Sequence, residues 1–322
     1  MVRFAGRSGK ITEKGRRTLS LSQTLTRWFL SFKSNNFETA AILKKHVRDI
    51  GTQKAPDVPT SLRSLCDVSE FWLHDQRIIQ LTPKEKKSDD HILYIHGGGY
   101  IHELVRAHWS IITQLVKHTG ATITVPLYAL APKHDHTKAT PMMDALYDQI
   151  TVDRAGQRTF VAGDSAGGNF TLSLALRRRD AGKSLPDGLI LYSPWLDFQL
   201  KADGIRDVEP KDIMLGVGGI LVCSQWWAGS ADHASSYFSM VNADPEGLPP
   251  VAIFNGDLDL LVVDARRFAD LCRSRGVETF YKEYPGGFHV FMGATFTPEA
   301  RDVFRETRRF MDQANTPLRK HR

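Results

Sequence analysis

The sequence is poor in cysteine. Cys66, Cys223 and Cys272 are the three in 322 residues, far apart and with no C-x-x-C pair. An odd, scattered set excludes a disulfide framework and fits a reducing compartment. Long apolar runs are missing too, so no transmembrane helix is expected. The longest, Ile213 to Cys223, is short and holds three glycines. The start lacks a short basic region followed directly by an apolar core, so no secretory signal is read there. Internal repeats are absent. Acid is scarce at both ends: Arg3, Arg7, Lys10, Lys14, Arg16 and Arg17 face Glu13 alone, and Arg319, Lys320, His321 and Arg322 close the chain. These are read as solvated termini. A nucleic-acid interface would need basic residues clustered on a folded face with stacking aromatics, and no such motif is found.

What remains is ordinary for a globular domain: 42% hydrophobic, 24% charged, net charge +6. The length suits one α/β domain with additions. The Arg- and Ser-rich start also resembles a mitochondrial transit peptide. The segment from Leu19 to Phe32 has the pattern of an amphipathic helix carrying Leu21, Leu25, Trp28, Phe29 and Phe32. Three roles compete for it: covering an active site, lying on a membrane, or targeting. The first is favoured, because such a stripe is usually a packing face.

From about Val68 onward strand-like and helix-like segments alternate. Strands are expected at Phe71 to Leu73, Arg77 to Leu81, His91 to Ile95, Ala121 to Pro126, Thr159 to Ala162, Gly188 to Tyr192, Val251 to Asn255 and Thr279 to Tyr284. Runs such as Ile92-Leu-Tyr-Ile95 lack polar alternation, which suits strands buried on both faces of a mainly parallel sheet. Helices are expected at Trp109 to Thr119, Pro141 to Val152, Ala166 to Ala181, Ala265 to Arg275 and Pro298 to Gln313. The alternation predicts a doubly wound α/β domain, with working residues on loops at the carboxyl ends of strands. Residues 1 to about 55 and 200 to 245 do not follow it and read as additions to the core. The stretch Lys84 to Asp90 reads as an exposed loop.

Three motifs stand at such strand ends. Gly163-Asp-Ser-Ala-Gly167 follows an apolar strand and opens a helix, the setting of a nucleophile elbow with Ser165 at its tip. His96-Gly-Gly-Gly99 follows another strand. Its N–H groups at Gly97 and Gly98, with that of Ala166, are the expected donors to an oxyanion. His96 orients that loop. A phosphate loop is set aside: the lysine is absent and no G-x-G-x-x-G spacing follows. Serine needs a base. His289 is the best placed of twelve histidines, on the turn after the last strand. The base needs a carboxylate to fix its tautomer. Asp257, Asp259 and Asp264 compete for that role; Asp259 is favoured, and Asp264 is expected to cap the following helix. The order Ser165, Asp259, His289 is that of α/β-hydrolases.

These residues resemble the hormone-sensitive lipase-like carboxylesterases, also called α/β-hydrolase fold-3, from about Val68 to the C-terminus. The resemblance rests on His96-Gly-Gly-Gly99, Tyr128-Ala-Leu-Ala-Pro132, Gly163-Asp-Ser-Ala-Gly167, Ser193-Pro-Trp-Leu-Asp197, Gly247-Leu-Pro-Pro250 and Phe288-His289. It implies an α/β-hydrolase fold with a helical cap built from residues 1–55 and an insertion at 200–245 of the 56–322 hydrolase domain. It implies a cytosolic ester hydrolase with Ser165, Asp259 and His289 as triad. Two departures stand out. Asp259-Leu-Leu261 replaces the frequent Asp-Pro-Leu. Lys133-His-Asp-His136 replaces the usual Glu-His step, and His134 and His136 are read as structural or exposed, not as metal ligands.

The expected reaction is cleavage of a small to medium, apolar carboxylic ester through an acyl-enzyme. Tyr100, Trp226 and Trp227 are candidate pocket residues, with Tyr237 and Phe238 in the same aromatic-rich insertion. An acyltransferase with the same triad and a non-hydrolysing ligand receptor are the alternatives; plant gibberellin receptors of this fold lack the histidine that stands here at 289. No cofactor, metal or nucleic acid is expected. The partner is a small-molecule ester, and a homodimer is left open. Cytoplasmic placement is favoured over a mitochondrial or membrane-surface one.

Overall fold

The computed structural model describes residues 20–31, 35–85, 87–154 and 156–314. The basic runs at both termini, and the ends of the Leu19–Phe32 segment, lie outside them. In chain order the elements are α1 (Leu21–Ser31), α2 (Ala40–Ile50), α3 (Thr60–Leu65), β1 (Cys66–Leu73), β2 (Gln76–Pro83), β3 (His91–Ile95), α4 (Arg106–Thr119), β4 (Thr122–Leu127), α5 (His136–Asp153), β5 (Thr159–Asp164) and α6 (Ala166–Asp180). There follow β6 (Gly188–Tyr192), the short α7 (Ile205–Val208), α8 (Val217–Ala228), β7 (Val251–Gly256), α9 (Val262–Ser274), β8 (Thr279–Tyr284) and α10 (Pro298–Gln313).

The eight strands form one sheet in the order β1-β2-β4-β3-β5-β6-β7-β8. Strand β2 runs antiparallel to both β1 and β4, and every other pairing is parallel. Both faces are covered, which is why the central strands read as unbroken apolar runs. Leu93, Ile95, Val161, Leu189, Leu191 and Ile253 pack on one side with α5, α6, α8 and α9. Ile92, Tyr94, Phe160, Ile190, Tyr192 and Phe254 pack on the other with α3, α4 and α10. Helix ends follow local chemistry. Asp135 caps α5 by accepting the N–H of Thr137, and Thr297 caps α10, which opens on Pro298.

The Lys84–Asp90 stretch is exposed at Lys84, Glu85, Lys87 and Asp89 as expected, but its last residue, Asp90, is buried, and its two oxygens take a bidentate pair from Arg158 at 2.8 and 2.6 Å. A buried carboxylate needs such a partner, and Arg158 supplies it from the start of β5. Asp264 does not cap α9. It sits inside the first turn and pairs with Arg267 at 2.6 Å.

The N-terminal segment is laid against the 200–245 region. Phe37 forms an isolated parallel bridge with Leu215, the Asn35 side chain donates to the Leu215 carbonyl at 3.2 Å, and α2 packs on α8. Close approach explains the glycines here. A Cβ at Gly216 would overlap the backbone of Glu38, and one at Gly219 would overlap the carbonyl of Phe37. Gly219→Ala is therefore expected to destabilise the protein by about 1–3 kcal/mol, seen as a Tm lowered by roughly 2–10 °C. New protease cleavage should appear within residues 35–55. A variant with unchanged Tm and cleavage pattern would show that this contact does not hold the segment.

Candidate active site

The site lies at the carboxyl ends of β3, β5 and β7 and on the loop after β8. Ser165 stands between β5 and α6 with φ 53° and ψ −118°. An L-residue in this left-handed region is strained, so the neighbourhood must hold it there. Its N–H donates to the Tyr192 carbonyl at 2.9 Å, and its carbonyl accepts from Trp195 at 3.0 Å and Asn169 at 3.2 Å. The flanking glycines leave the turn its room. A Cβ at Gly163 would overlap the Gly167 carbonyl, and one at Gly167 would overlap the Ile95 carbonyl.

The structure brings Ser165, His289 and Asp259 into one hydrogen-bonded chain. His289 Nε2 lies 2.9 Å from Ser165 Oγ, and His289 Nδ1 lies 3.0 Å from Asp259 Oδ2. A carboxylate only accepts, so Nδ1 carries the proton and Nε2 is left to accept from the serine hydroxyl. Asp259 is itself fixed by the N–H of Leu261 at 2.9 Å and the amide of Asn255 at 3.2 Å. The histidine loop is tied down by Ser193, whose hydroxyl accepts the Val290 N–H at 3.0 Å. Of the competing acids, Asp257 accepts the N–H of Gly286 at 2.5 Å and Asp264 faces Arg267, so neither is the partner of His289.

Burial works against a charge on His289, but the Asp259 carboxylate outweighs it, with Asp212 and Asp164 adding in the same direction. The imidazole is held above its ordinary value. His96 is the opposite case: burial, and then the nearby His108, push it down to about 3, so it is neutral. It stacks on Tyr128 with 4.4 Å between ring centres and makes no contact with the triad in this network.

The expected oxyanion donors need one correction. The Gly97 N–H is already bound to Asp164 Oδ1 at 3.1 Å. Asp164, inside the same pentapeptide as Ser165, also takes the Tyr94 hydroxyl at 2.6 Å, and His108 Nε2 lies 3.3 Å from its other oxygen. Burial opposes its ionisation, yet these partners hold it below the usual carboxylate range. Among the described residues no hydrogen bond takes the N–H of Gly98 or Gly99. Ala166 is the first residue of α6, where N–H groups have no partner within the helix.

The candidate pocket residues Tyr100, Trp226 and Trp227 lie in one hydrophobic cluster. Tyr100 and Trp227 are interior residues: they stack on each other with 4.0 Å between ring centres, and the Tyr100 hydroxyl donates to Asn169 at 2.7 Å. Trp226 is half-buried at the edge of that cluster. The side chains next to the glycine loop are Phe37 and Cys223, 2.8 and 3.3 Å from where a Gly99 Cβ would stand. Neither showed in the sequence, because Phe37 lies sixty residues upstream with no motif around it. Asp164 was visible within its motif but had no stated role.

A family model described as the alpha/beta hydrolase fold matches residues 92–293. LipR of Mycobacterium tuberculosis, whose name carries acetyl-hydrolase, is 31% identical over 229 residues, 70% of this chain and 73% of its own. An esterase of Acinetobacter venetianus is 27% identical over 222 residues, 68% of this chain and 73% of its own. A solved structure described as the HSL-homolog EstE7 from a metagenome library superposes with a TM-score of 0.76 at 25% identity, covering 92% of this chain and 99% of that one.

Two outcomes follow from the geometry. A base acts in its neutral form, and His289 is held above an ordinary imidazole, so kcat/KM for an ester should fall on the acid side at a midpoint above that of a free imidazole. A midpoint at or below it would contradict the charge balance described. Asp164→Asn places a donor among donors; kcat should drop about 10- to 100-fold, less than the loss of a whole oxyanion donor, with circular dichroism unchanged.

Proposed function

The chain belongs to the α/β-hydrolase fold family, in its hormone-sensitive lipase-like carboxylesterase branch, and from that premise we propose that Ser165, His289 and Asp259 cleave a carboxylic ester through an acyl-enzyme. The observation that carries this reading is the unbroken chain from Ser165 Oγ through His289 to Asp259, at 2.9 and 3.0 Å. The hydroxyl attacks the ester carbonyl while Nε2 takes its proton. Asp259 steadies the imidazolium that forms. The oxyanion is received by the N–H groups of Gly98, Gly99 and Ala166; Gly97 instead anchors the loop through Asp164. The alcohol leaves with the proton from His289, and water then repeats the sequence on the acyl-enzyme.

We read the segment around Phe37 and α2, together with α8, as a cap over this site. Ser165 is 7% exposed and His289 5%, so substrate enters only where the cap gives way. Phe37 and Cys223 set an apolar wall beside Gly99, which supports small to medium apolar esters. The three cysteines are free and buried, which supports a reducing, cytoplasmic setting. Among the described residues no helix is long and apolar enough to cross a membrane.

The test is direct. Ser165→Ala should abolish turnover of p-nitrophenyl acetate and butyrate, and a fluorophosphonate should label the unmodified protein but not the variant. Undiminished turnover by Ser165→Ala would end the proposal. A series of acyl chain lengths should show an optimum at short to medium chains and a decline beyond.

A further inference from the structure

The mechanism above leaves one buried acid near the triad without a part. Asp212 belongs to the 200–245 region, on the loop before α8, and is 8% exposed. Its Oδ1 accepts the N–H groups of Met214 at 2.8 Å and Leu215 at 3.0 Å. Its Oδ2 accepts the N–H of Leu260 at 2.7 Å. Leu260 directly follows Asp259, and Asp259 itself accepts the next N–H, that of Leu261. Two carboxylates from distant parts of the chain thus hold two consecutive N–H groups of one turn, and that turn presents the partner of His289.

The same loop reaches the other side of the site. Leu215 bridges to Phe37, and the Phe37 ring lies against Gly99. Asp212 therefore joins the acid turn to the segment that roofs the glycine loop. A neutral oxygen could satisfy the Leu260 N–H at lower desolvation cost than a buried charge. The choice of a carboxylate, behind an imidazole that becomes cationic during turnover, points to an electrostatic use.

We propose that Asp212 is a positioning residue for ester cleavage: it fixes the turn that carries Asp259 and sets a second negative charge behind His289. This rests on the triad reading given above. The charged and titratable groups facing His289 are Asp259 on the turn after β7, Asp212 before α8 and Asp164 at the end of β5. Those facing Asp212 are Asp259 and His289. Beside it on its own stretch are Lys211, whose carbonyl lies 3.5 Å from Nη2 of Arg27 in α1, and Glu209, which takes the Val217 N–H.

The sign of the effect follows from the charges. Burial first, and then the like charge of Asp259, push the Asp212 carboxyl up to about 6, with His289 pulling the other way. At neutral pH Asp212 is thus ionised, and an ionised Asp212 favours the imidazolium. Removing the charge should make His289 less basic.

The experiment compares the full-length protein with Asp212→Asn and Asp212→Glu, measuring Tm, the pH profile of kcat/KM for p-nitrophenyl butyrate, and the pH profile of fluorophosphonate inactivation. In Asp212→Asn, kcat/KM should fall about tenfold at neutral pH, and the acid-side midpoint should move down by about one pH unit in both profiles, the size expected for loss of one nearby charge. A profile lowered in height with its midpoint unmoved would reduce Asp212 to a structural hydrogen-bond acceptor and overturn the proposal, as would unchanged kinetics. Should Asp212→Asn fail to fold, Asp212→Glu decides. It keeps the charge but displaces it, so the midpoint should stay while kcat drops; a midpoint that falls would overturn the electrostatic role. Activity surviving in Ser165→Ala would defeat the triad reading itself. An inactive Ser165→Ala beside an unmoved Asp212→Asn midpoint would defeat the Asp212 proposal alone.

Discussion

Ser165 occupies a left-handed backbone conformation, φ 53°, that costs a non-glycine residue of order 1–3 kcal/mol. The hydrogen bonds to Tyr192, Trp195 and Asn169 are what hold it there; the first two come from the end of β6 and the loop beyond it, the third from the helix that follows. Tyr192 ends β6, the parallel neighbour of β5, and Asn169 lies one turn into α6. The bend is thus not a local habit of five residues. It is imposed by a parallel sheet whose strands end together, with a helix leaving at once. The two glycines permit the turn, and the sheet enforces it.

Once the hydroxyl is forced out at that bend, electrostatics sets the rest. Three buried carboxylates converge near it: Asp164, Asp259 and Asp212. Each is bound by backbone N–H groups, tyrosine or asparagine donors and, at Asp164, His108, rather than by lysine or arginine. A buried negative charge without a cationic partner is costly, unless a cation forms beside it when needed. His289 is that group. In the proposed reaction it is neutral when it accepts a proton and charged when the tetrahedral intermediate exists, so the acids would stabilise the intermediate more than the resting state. Asp164 adds a second service, because it binds the N–H of Gly97 and so anchors the glycine loop.

How far this was legible in the sequence depends on distance along the chain. The central strands could be placed because burial on both faces leaves apolar runs that need no knowledge of neighbours; the edge strands β1 and β8 are only partly buried and were legible from their place in the alternation. Ser165, Asp259 and His289 could be named because each follows a strand and turn chemistry marks the place. The engagement of the Gly97 N–H was not legible, since its bond to Asp164 joins residues 67 apart and no pattern announces it. The stacking of Tyr100 on Trp227 was not legible, because aromatic clusters look alike in sequence whether they line space or fill it. Asp212 and Phe37 were invisible for the same reason as Gly97: their meaning lies in which backbone groups they meet.

The glycines of α8 tie these points together. Gly216 and Gly219 let the backbone at residues 37–38 lie against the helix where any Cβ would push it away. That contact sets Phe37 over Gly99 and, through Leu215, fixes the loop that carries Asp212. The N-terminal segment and the turn that carries Asp259 are therefore joined through one set of contacts, from Phe37 through Leu215 and Asp212 to Leu260. On the proposed reading of this segment as a cap, loosening it to admit an ester would also loosen contacts that order the turn beside His289, which ties closure over substrate to assembly of the charge array.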